Sequence, residues 1–373
     1  MNFLKIFLAS FLGIIIGGCS SNYEVEEILS NKSKQNTIGF TLVNTLQSTR
    51  STNINSSNLT STGFEVWAID NNKQFFMGDS VKSTNSPNIG GIYIIYDNIN
   101  SWVYYDKNQI YYWPTTNTTL DFYAIDPIKQ TSTYSWTITN NNKQINYITI
   151  DEYGETNVTG DENTDVMYAV KLDQTYNSNN GKVKLKFQHI LSNLTFKATT
   201  ETPNMEVYLN DIKLHNTFST GTFNIPESEN KPNNTNWSID STYNISLTIL
   251  KDKNFHITYD TILPLNLKEP TFIIPQTLTK WDATTNAISK ADISQESYLE
   301  INCKILQNKI YLFGSENEFG TLYIPFGEEF NPGLRYNYTI RFGGGYDENG
   351  NPILKPIVFD AAEVYDWDDI NIY

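Results

Sequence analysis

The chain has 373 residues, with 41 acidic against 26 basic side chains, a formal net charge of -15 and a pI near 4.6. That balance excludes a nucleic-acid partner, because holding phosphates needs clustered Lys and Arg. Aromatic residues make up 14% of the chain beside abundant Thr, Asn and Ile, side chains that fit a pleated surface, and long alanine- or leucine-rich faces are missing, so strands and turns are expected rather than helices.

The first residues carry one positive charge at Lys5, then an apolar run over 6–16, then Gly17, Gly18 and Cys19. A spanning helix needs about 20 apolar residues, and this run is shorter and gives way to Ser20, Ser21 and Asn22. The pattern predicts a signal peptide over 1–18 that is removed on export. The small-small-Cys junction resembles the bacterial lipobox, in which the cysteine thiol takes a diacylglyceryl group, so Cys19 is the expected lipid attachment and 19–36 a lipidated tether. More than one acyl chain makes such an anchor durable. The acidic stretch 24–27 reads as a solvated tether, or alternatively as a signal for display on the cell surface. The other cysteine is Cys303, so the mature chain has no internal disulfide to draw on and depends on core burial. Roughly 350 residues are long for one core, and two domains are the natural expectation.

After the tether, Ile38, Phe40 and Leu42 alternate with Gly39, Thr41 and Val43, the period of a half-buried strand. Residues 45–62 are rich in Ser, Thr and Asn and form an exposed loop that contains Arg50, the first of three arginines in the chain. Residues 64–69 make the next strand, closed by the turn residues Asp70, Asn71 and Asn72 into a hairpin with 74–77. Short strands are expected at 91–96, 102–105, 110–113, 120–125, 135–139 and 147–150, a regular spacing that suggests a sandwich or barrel. Val183, Leu185, Phe187, His189 and Leu191 lie on one face of a long strand; the phase changes at Ser192 and Asn193, where a domain junction is placed, giving units over 37–192 and 193–373. The second unit continues in the same style, with strands expected at 205–209, 212–214, 245–250, 255–259, 271–274, 298–305, 310–313, 321–324, 336–342 and 353–359.

Little in the chain reads as chemistry. His189, His215 and His256 are scattered without metal-ligand spacing, and His189 sits on the apolar face of its strand as a core histidine. The glycine- and carboxylate-rich segment 343–351 lacks the Lys-Ser/Thr of a phosphate loop, and Val358 stands where a calcium loop needs its Glu, so a hairpin turn is expected. The acidic clusters at Asp161 and Glu162, at Glu328 and Glu329, and at Asp366, Asp368 and Asp369 neighbour turns and read as solvated loops rather than a catalytic dyad. Seven tryptophans, among them Trp102, Trp113, Trp237 and Trp367, read as core packing in preference to sugar-stacking platforms.

Several separated segments together resemble the fimbrillin family, surface lipoproteins that build type V pili in Bacteroidota-type bacteria. They are Phe64-x-Val66-x-Ala68; Tyr112-Trp113-Pro114 followed by Leu120-x-Phe122-x-Ala124 and Pro127; Asp165-Val166-Met167-Tyr168-Ala169; Phe187-x-His189 with Leu194; Ile274-Pro275-Gln276; Pro332-Gly333 with Tyr336-x-Tyr338; and Val364 with Asp366-Trp367. The resemblance implies an all-β chain of two tandem β-sandwich domains of transthyretin-like, Greek-key topology. It implies no catalysis and no cofactor, attachment to the outer membrane through the lipid before processing, and a role in adhesion or biofilm formation. Its partners would be other pilus subunits joined by β-strand addition and a host or bacterial surface receptor. In that family's stalks a protease cuts after an arginine behind the first strand, which makes Arg50 the candidate cleavage site. The alternative reading is a monomeric glycan-binding outer-membrane lipoprotein of a polysaccharide-uptake system. A first strand near 38–44 seated in a groove of the first sandwich would separate the two.

Overall fold

The structure, a computed structural model, describes residues 36–43, 63–80, 90–97, 101–115, 118–127, 135–156, 164–178, 180–267, 271–354, 358–359 and 362–366. The regular structure of the described chain is nearly all strand, as its composition predicts, and α1 (Ile288–Ser294) is the one α-helical element of note.

A nine-stranded sheet comprises β1 (Gly39–Leu42), β2 (Phe64–Asp70), β3 (Phe75–Met77), β4 (Ile92–Asp97), β5 (Ser101–Tyr104), β6 (Leu120–Asp126), β9 (Met167–Gln174), β10 (Lys182–Leu185) and β11 (Gln188–His189). Its order is β10-β1-β5-β4-β2-β6-β9-β11, with β3 on β2. The sheet curls until β10 comes back beside β9, and inside the curl Val183, Leu185, Met167 and Ala169 share one core with Phe40, Phe64, Val66 and Phe122. Alternate residues of the same strands point the other way: Trp67 and Ile69 of β2, Tyr123 and Ile125 of β6, and Tyr168 and Val170 of β9 enter a second core. The central strands are therefore buried on both faces, where alternation alone predicts strands with one wet face.

The second core is closed by a four-stranded sheet of β7 (Ser135–Ile138), β8 (Lys143–Thr149), β14 (Thr220–Asn224) and β15 (Trp237–Ile239), in the order β15-β14-β8-β7. Two of these strands come from before residue 192 and two from after it. A six-stranded sheet holds β12 (Ser192–Thr200), β17 (Leu263–Pro264), β18 (Thr271–Ile273), β22 (Leu334–Phe342), β25 (Val358–Phe359) and β26 (Glu363–Asp366), with β12 and β22 parallel. A seven-stranded sheet holds β13 (Met205–Phe218), β16 (Asn244–Thr258), β19 (Tyr298–Gln307), β20 (Ile310–Phe313), β21 (Gly320–Pro325), β23 (Gly344–Tyr346) and β24 (Pro352–Leu354). These two sheets enclose the largest core, which includes Phe196, Leu209, Leu214, Ile301, Cys303, Leu322 and Tyr338.

Several expected elements differ in detail. The strand expected to run through 183–191 is two strands, because β10 pairs with β1 while β11 pairs with β9. Conversely, 205–209 and 212–214 are one strand: Asn210 and Asp211 break the apolar alternation, yet the chain absorbs them in a β-bulge and goes on. β13 then passes through Ser219 directly into β14, so one extended run serves two sheets. The crossing is held by Gln276, buried at 4% exposure. Its Oε1 accepts from the Phe218 amide (2.9 Å), and its Nε2 donates to the carbonyls of Phe218 and Ile274 (both 2.9 Å). Segment 343–351 is the expected hairpin, with the Asp347 carboxylate accepting from the amides of Asn349 and Asn351. Gly350 has φ +83°, and a Cβ there would lie 2.2 Å from the carbonyl oxygen of Ala283, so no other residue fits the turn.

Candidate functional site

The first strand occupies the position on which the two readings of the sequence part. β1 lies between β10, to which it is parallel with Phe40 opposite Val183, and β5, to which it is antiparallel with Phe40 opposite Trp102. Its alternation is realised as side chains in the core. Ile38 and Phe40 are buried, and the Phe40 ring meets Phe64, Phe122 and Tyr104 edge-on with centroids 6.0, 6.1 and 6.2 Å away.

Main-chain bonds fix the strand along both edges. The Gly39 amide donates to Gly181 O and the Val43 amide to Leu185 O (both 2.9 Å). On the other side, the Ile38 amide donates to Tyr111 O (2.9 Å) and the Trp113 amide donates to Asn36 O (2.8 Å). Residues 110–113, expected as a strand, are instead irregular chain whose backbone pairs with the start of β1 through the bridge between Thr37 and Tyr112. The Tyr104 hydroxyl donates to Ile38 O (2.9 Å), and burial pushes its pKa upward, so it stays protonated as a donor. Gly181, at φ +78°, turns the chain into β10 and offers one carbonyl both to the Gly39 amide and to Trp113 Nε1 (2.9 Å). Removing β1 would leave an apolar slot rimmed by the carbonyls of Gly181 and Leu185.

Cys19 and Arg50 both lie outside the described residues, as do Asp161, Glu162, Trp367, Asp368 and Asp369. The described chain stops at Val43 and resumes at Gly63; among residues 44–62 between them Arg50 is the single basic side chain.

Other residues singled out from the sequence have structural surroundings. His189 is buried, and its Nδ1 is hydrogen-bonded to the fully buried Asp165, which also accepts from the Val166 amide (2.7 Å). Gly333, at φ +70°, packs on the backbone of His189 and donates its amide to Leu191 O (2.8 Å), while the Asn331 amide donates to the Tyr336 hydroxyl (2.7 Å). Residues from both halves of the chain thus meet beside His189. His215 stacks on Tyr298 (4.7 Å) and approaches Glu300 (3.2 Å), which holds that carboxyl below its usual range; His256 stacks on Tyr208 (4.5 Å). Trp67, Trp113, Trp136, Trp237 and Trp281 are buried, as core packing requires. Among the described residues no group of three or more His, Cys, Asp or Glu is placed to hold a metal ion, and no helix is long and apolar enough to cross a membrane.

The profile of the family described as fimbrillin-like matches residues 49–367. The chain belongs to the fimbrillin-like family. The fimbrillin-like match begins just beyond β1. Fimbrillin-like proteins are structural and adhesive proteins of the cell exterior rather than enzymes. Among solved structures, a fimbrial protein from Bacteroides vulgatus superposes with a TM-score of 0.52 at 15% identity, covering 89% of this chain and 99% of that one. At that identity the likeness is one of fold. The tip fimbrial protein Mfa3 of Porphyromonas gingivalis, in a C-terminally truncated form, matches at 11% identity and a TM-score of 0.39, over 82% of this chain and 94% of that one. No curated protein sequence matches.

Proposed function

We propose that this chain is a lipoprotein subunit of a type V pilus, exported by its signal peptide, lipidated at Cys19, displayed on the outer membrane and assembled by protease-triggered exchange of its first strand. The observation that carries the reading is the seat of β1, a four-residue strand filling a slot between β10 and β5. Residues 44–62 are the covalent route from β1 to β2, so a cut after Arg50 leaves β1 held by non-covalent forces alone. Ile38 and Phe40 then leave the core with it, each worth about 1.5–3 kcal/mol when buried. A strand from another subunit restores both the apolar contacts and the main-chain bonds, the mode in which backbone pairing gives affinity and alternate side chains give register. The incoming strand needs large apolar residues where Ile38 and Phe40 stand, and at Gly39, where a Cβ would lie 3.3 Å from Lys182 Cγ, a small residue fits with the least displacement. The two tandem units, over 37–192 and 193–373, are joined by the swap of β14 and β15 into the first.

Limited trypsin treatment tests the scheme. It should expose Ser51 as a new amino terminus, and polymers should follow on electron micrographs and native gels. Cutting at Lys32 or Lys34 leaves β1 in place and should yield no polymer. Arg50→Ala should block both the cut and the polymer; polymers forming equally well from Arg50→Ala would refute the role given to Arg50. In cells, Cys19→Ala should abolish labelling with radioactive palmitate, and equal labelling of both proteins would remove the anchor from the scheme.

A further inference from the structure

A polar cleft of about 360 Å³ lies where the two halves of the chain meet, within the size range of small-ligand sites. Its floor is the outer face of the seven-stranded sheet: Asn210, Asp211 and Lys213 of β13 beside Thr248 and Lys251 of β16. Its wall is Glu152 and Tyr153, from the loop that follows β8 in the first half. The cleft is shaped by the backbone on both sides. The bulge at Asn210 sets two residues of β13 against one of β19 and re-aims the side chains around it. The loop is fastened to the second half, because the Thr248 amide donates to Glu152 O (2.6 Å) and the Phe272 amide to Gly154 O (2.8 Å).

The lining is balanced in charge, with two lysines against two carboxylates. Neither lysine stands within ion-pair distance of a carboxylate among the described residues: Asp211 Oδ2 accepts from Asn210 Nδ2 (2.9 Å), and Glu300, opposite Lys213 on β19, is approached by His215 (3.2 Å) and attracts Lys213 only across a longer gap. The cleft therefore presents unused N–H donors, carboxylate acceptors, a buried threonine hydroxyl and one aromatic ring. A peptide carboxylate, a sulfate or a phosphate would meet Asp211 and Glu152 as like charges. A ring bearing several hydroxyls uses both sets at once, since each hydroxyl donates to a carboxylate and accepts from an ammonium or amide, while its C–H face packs on Tyr153.

We propose that this cleft binds one ring of a neutral saccharide, giving the subunit an adhesive site of its own. The site is built without β1 and does not rest on strand exchange, so failure to polymerise leaves it standing. The test uses the full mature chain and saturation-transfer NMR against neutral oligosaccharides ending in galactose, glucose, mannose, fucose or N-acetylglucosamine, with sialylated and uronic-acid sugars and an Asp/Glu peptide in parallel. At least one neutral terminus should bind. Lys213→Met and Asp211→Asn, both on the outer sheet face, should each weaken it by about tenfold or more, the ordinary loss for a hydrogen bond to a charged group. Tyr153→Ala should weaken it too, with melting temperatures unchanged in all three. No neutral sugar binding at millimolar concentration, binding confined to the acidic sugars or the peptide, or binding that survives both floor substitutions would each overturn the proposal.

Discussion

Glu65 is the second residue of β2, with 1% of its surface exposed, on the face that carries Trp67. Neither carboxylate oxygen has a side-chain hydrogen-bond partner among the described residues. Burial raises its pKa from 4.5 to about 8, opposed by the backbone amide of Gly91. The sign follows from proton counting. Below pH 4.5 both the folded and unfolded chains hold the proton and the group is neutral to stability. Between 4.5 and 8 the folded chain keeps a proton that the unfolded chain has lost, so stability falls as pH rises, by about 1.4 kcal/mol per pH unit. Over that window the loss reaches at most ~5 kcal/mol. Glu65→Gln keeps the shape and removes the titration. It replaces a protonated carboxyl by an amide in the same site, a difference in cost that does not change with pH, so the diagnostic is the slope. Urea denaturation followed by the fluorescence of Trp67 and Trp136, whose rings lie 6.0 Å apart in the same core, should give a wild-type midpoint that drops from pH 5 to pH 8. The Glu65→Gln midpoint should be much flatter, and the histidines cancel in the difference between the two proteins. Parallel pH dependences would show that Glu65 is ionised in the folded state and refute the reasoning.

Asp165→Ala removes a hydrogen-bond partner of the buried His189 and should destabilise the fold by about 1–3 kcal/mol, seen as a lowered melting temperature, whereas excess chelator should leave melting unchanged because the pair is a hydrogen bond and not a metal site. Cys303 is fully buried on β19 and burial pushes its thiol pKa well upward. It should resist a thiol reagent such as DTNB in the folded chain and react at once in urea; fast reaction in native buffer would show that this core opens.

How much of this was legible in the sequence depends on what each residue answers to. The fold was legible because strand composition and alternation answer to burial, and the segments that carry the family resemblance prove to be parts of the frame. Phe64, Val66 and Ala68 fill one face of β2, and Leu120, Phe122 and Ala124 line the same core from β6. Gln276 pins the passage from β13 to β14, and Gly333 lies against His189. What the alternation could not carry was which partner each strand takes. Val183 to Leu191 reads as one strand because its pattern is continuous, and it is divided only because β10 takes β1, more than a hundred positions away, while β11 takes the nearby β9. β13 shows the converse, since a polar pair in mid-strand looks like an ending until both flanking strands are seen to bridge the bulge.

The two functional features divide along the same line. β1 was visible beforehand because a strand seated against the core must satisfy it, so Ile38, Phe40 and Leu42 announce it by their period. The cleft was not, because Glu152, Asp211 and Lys251 are ordinary surface residues in sequence, about 60 and 100 positions from the first to the others, and they become a set only when the loop after β8 is fastened onto β16. A frame is written in periodic apolar residues that each carry a burial penalty if changed; a polar site is written in exposed residues that the fold itself does not constrain. Likeness of fold at 15% identity therefore speaks for the frame and is silent on the cleft. The cleft's ligand has to be read from the donors and acceptors this chain places there.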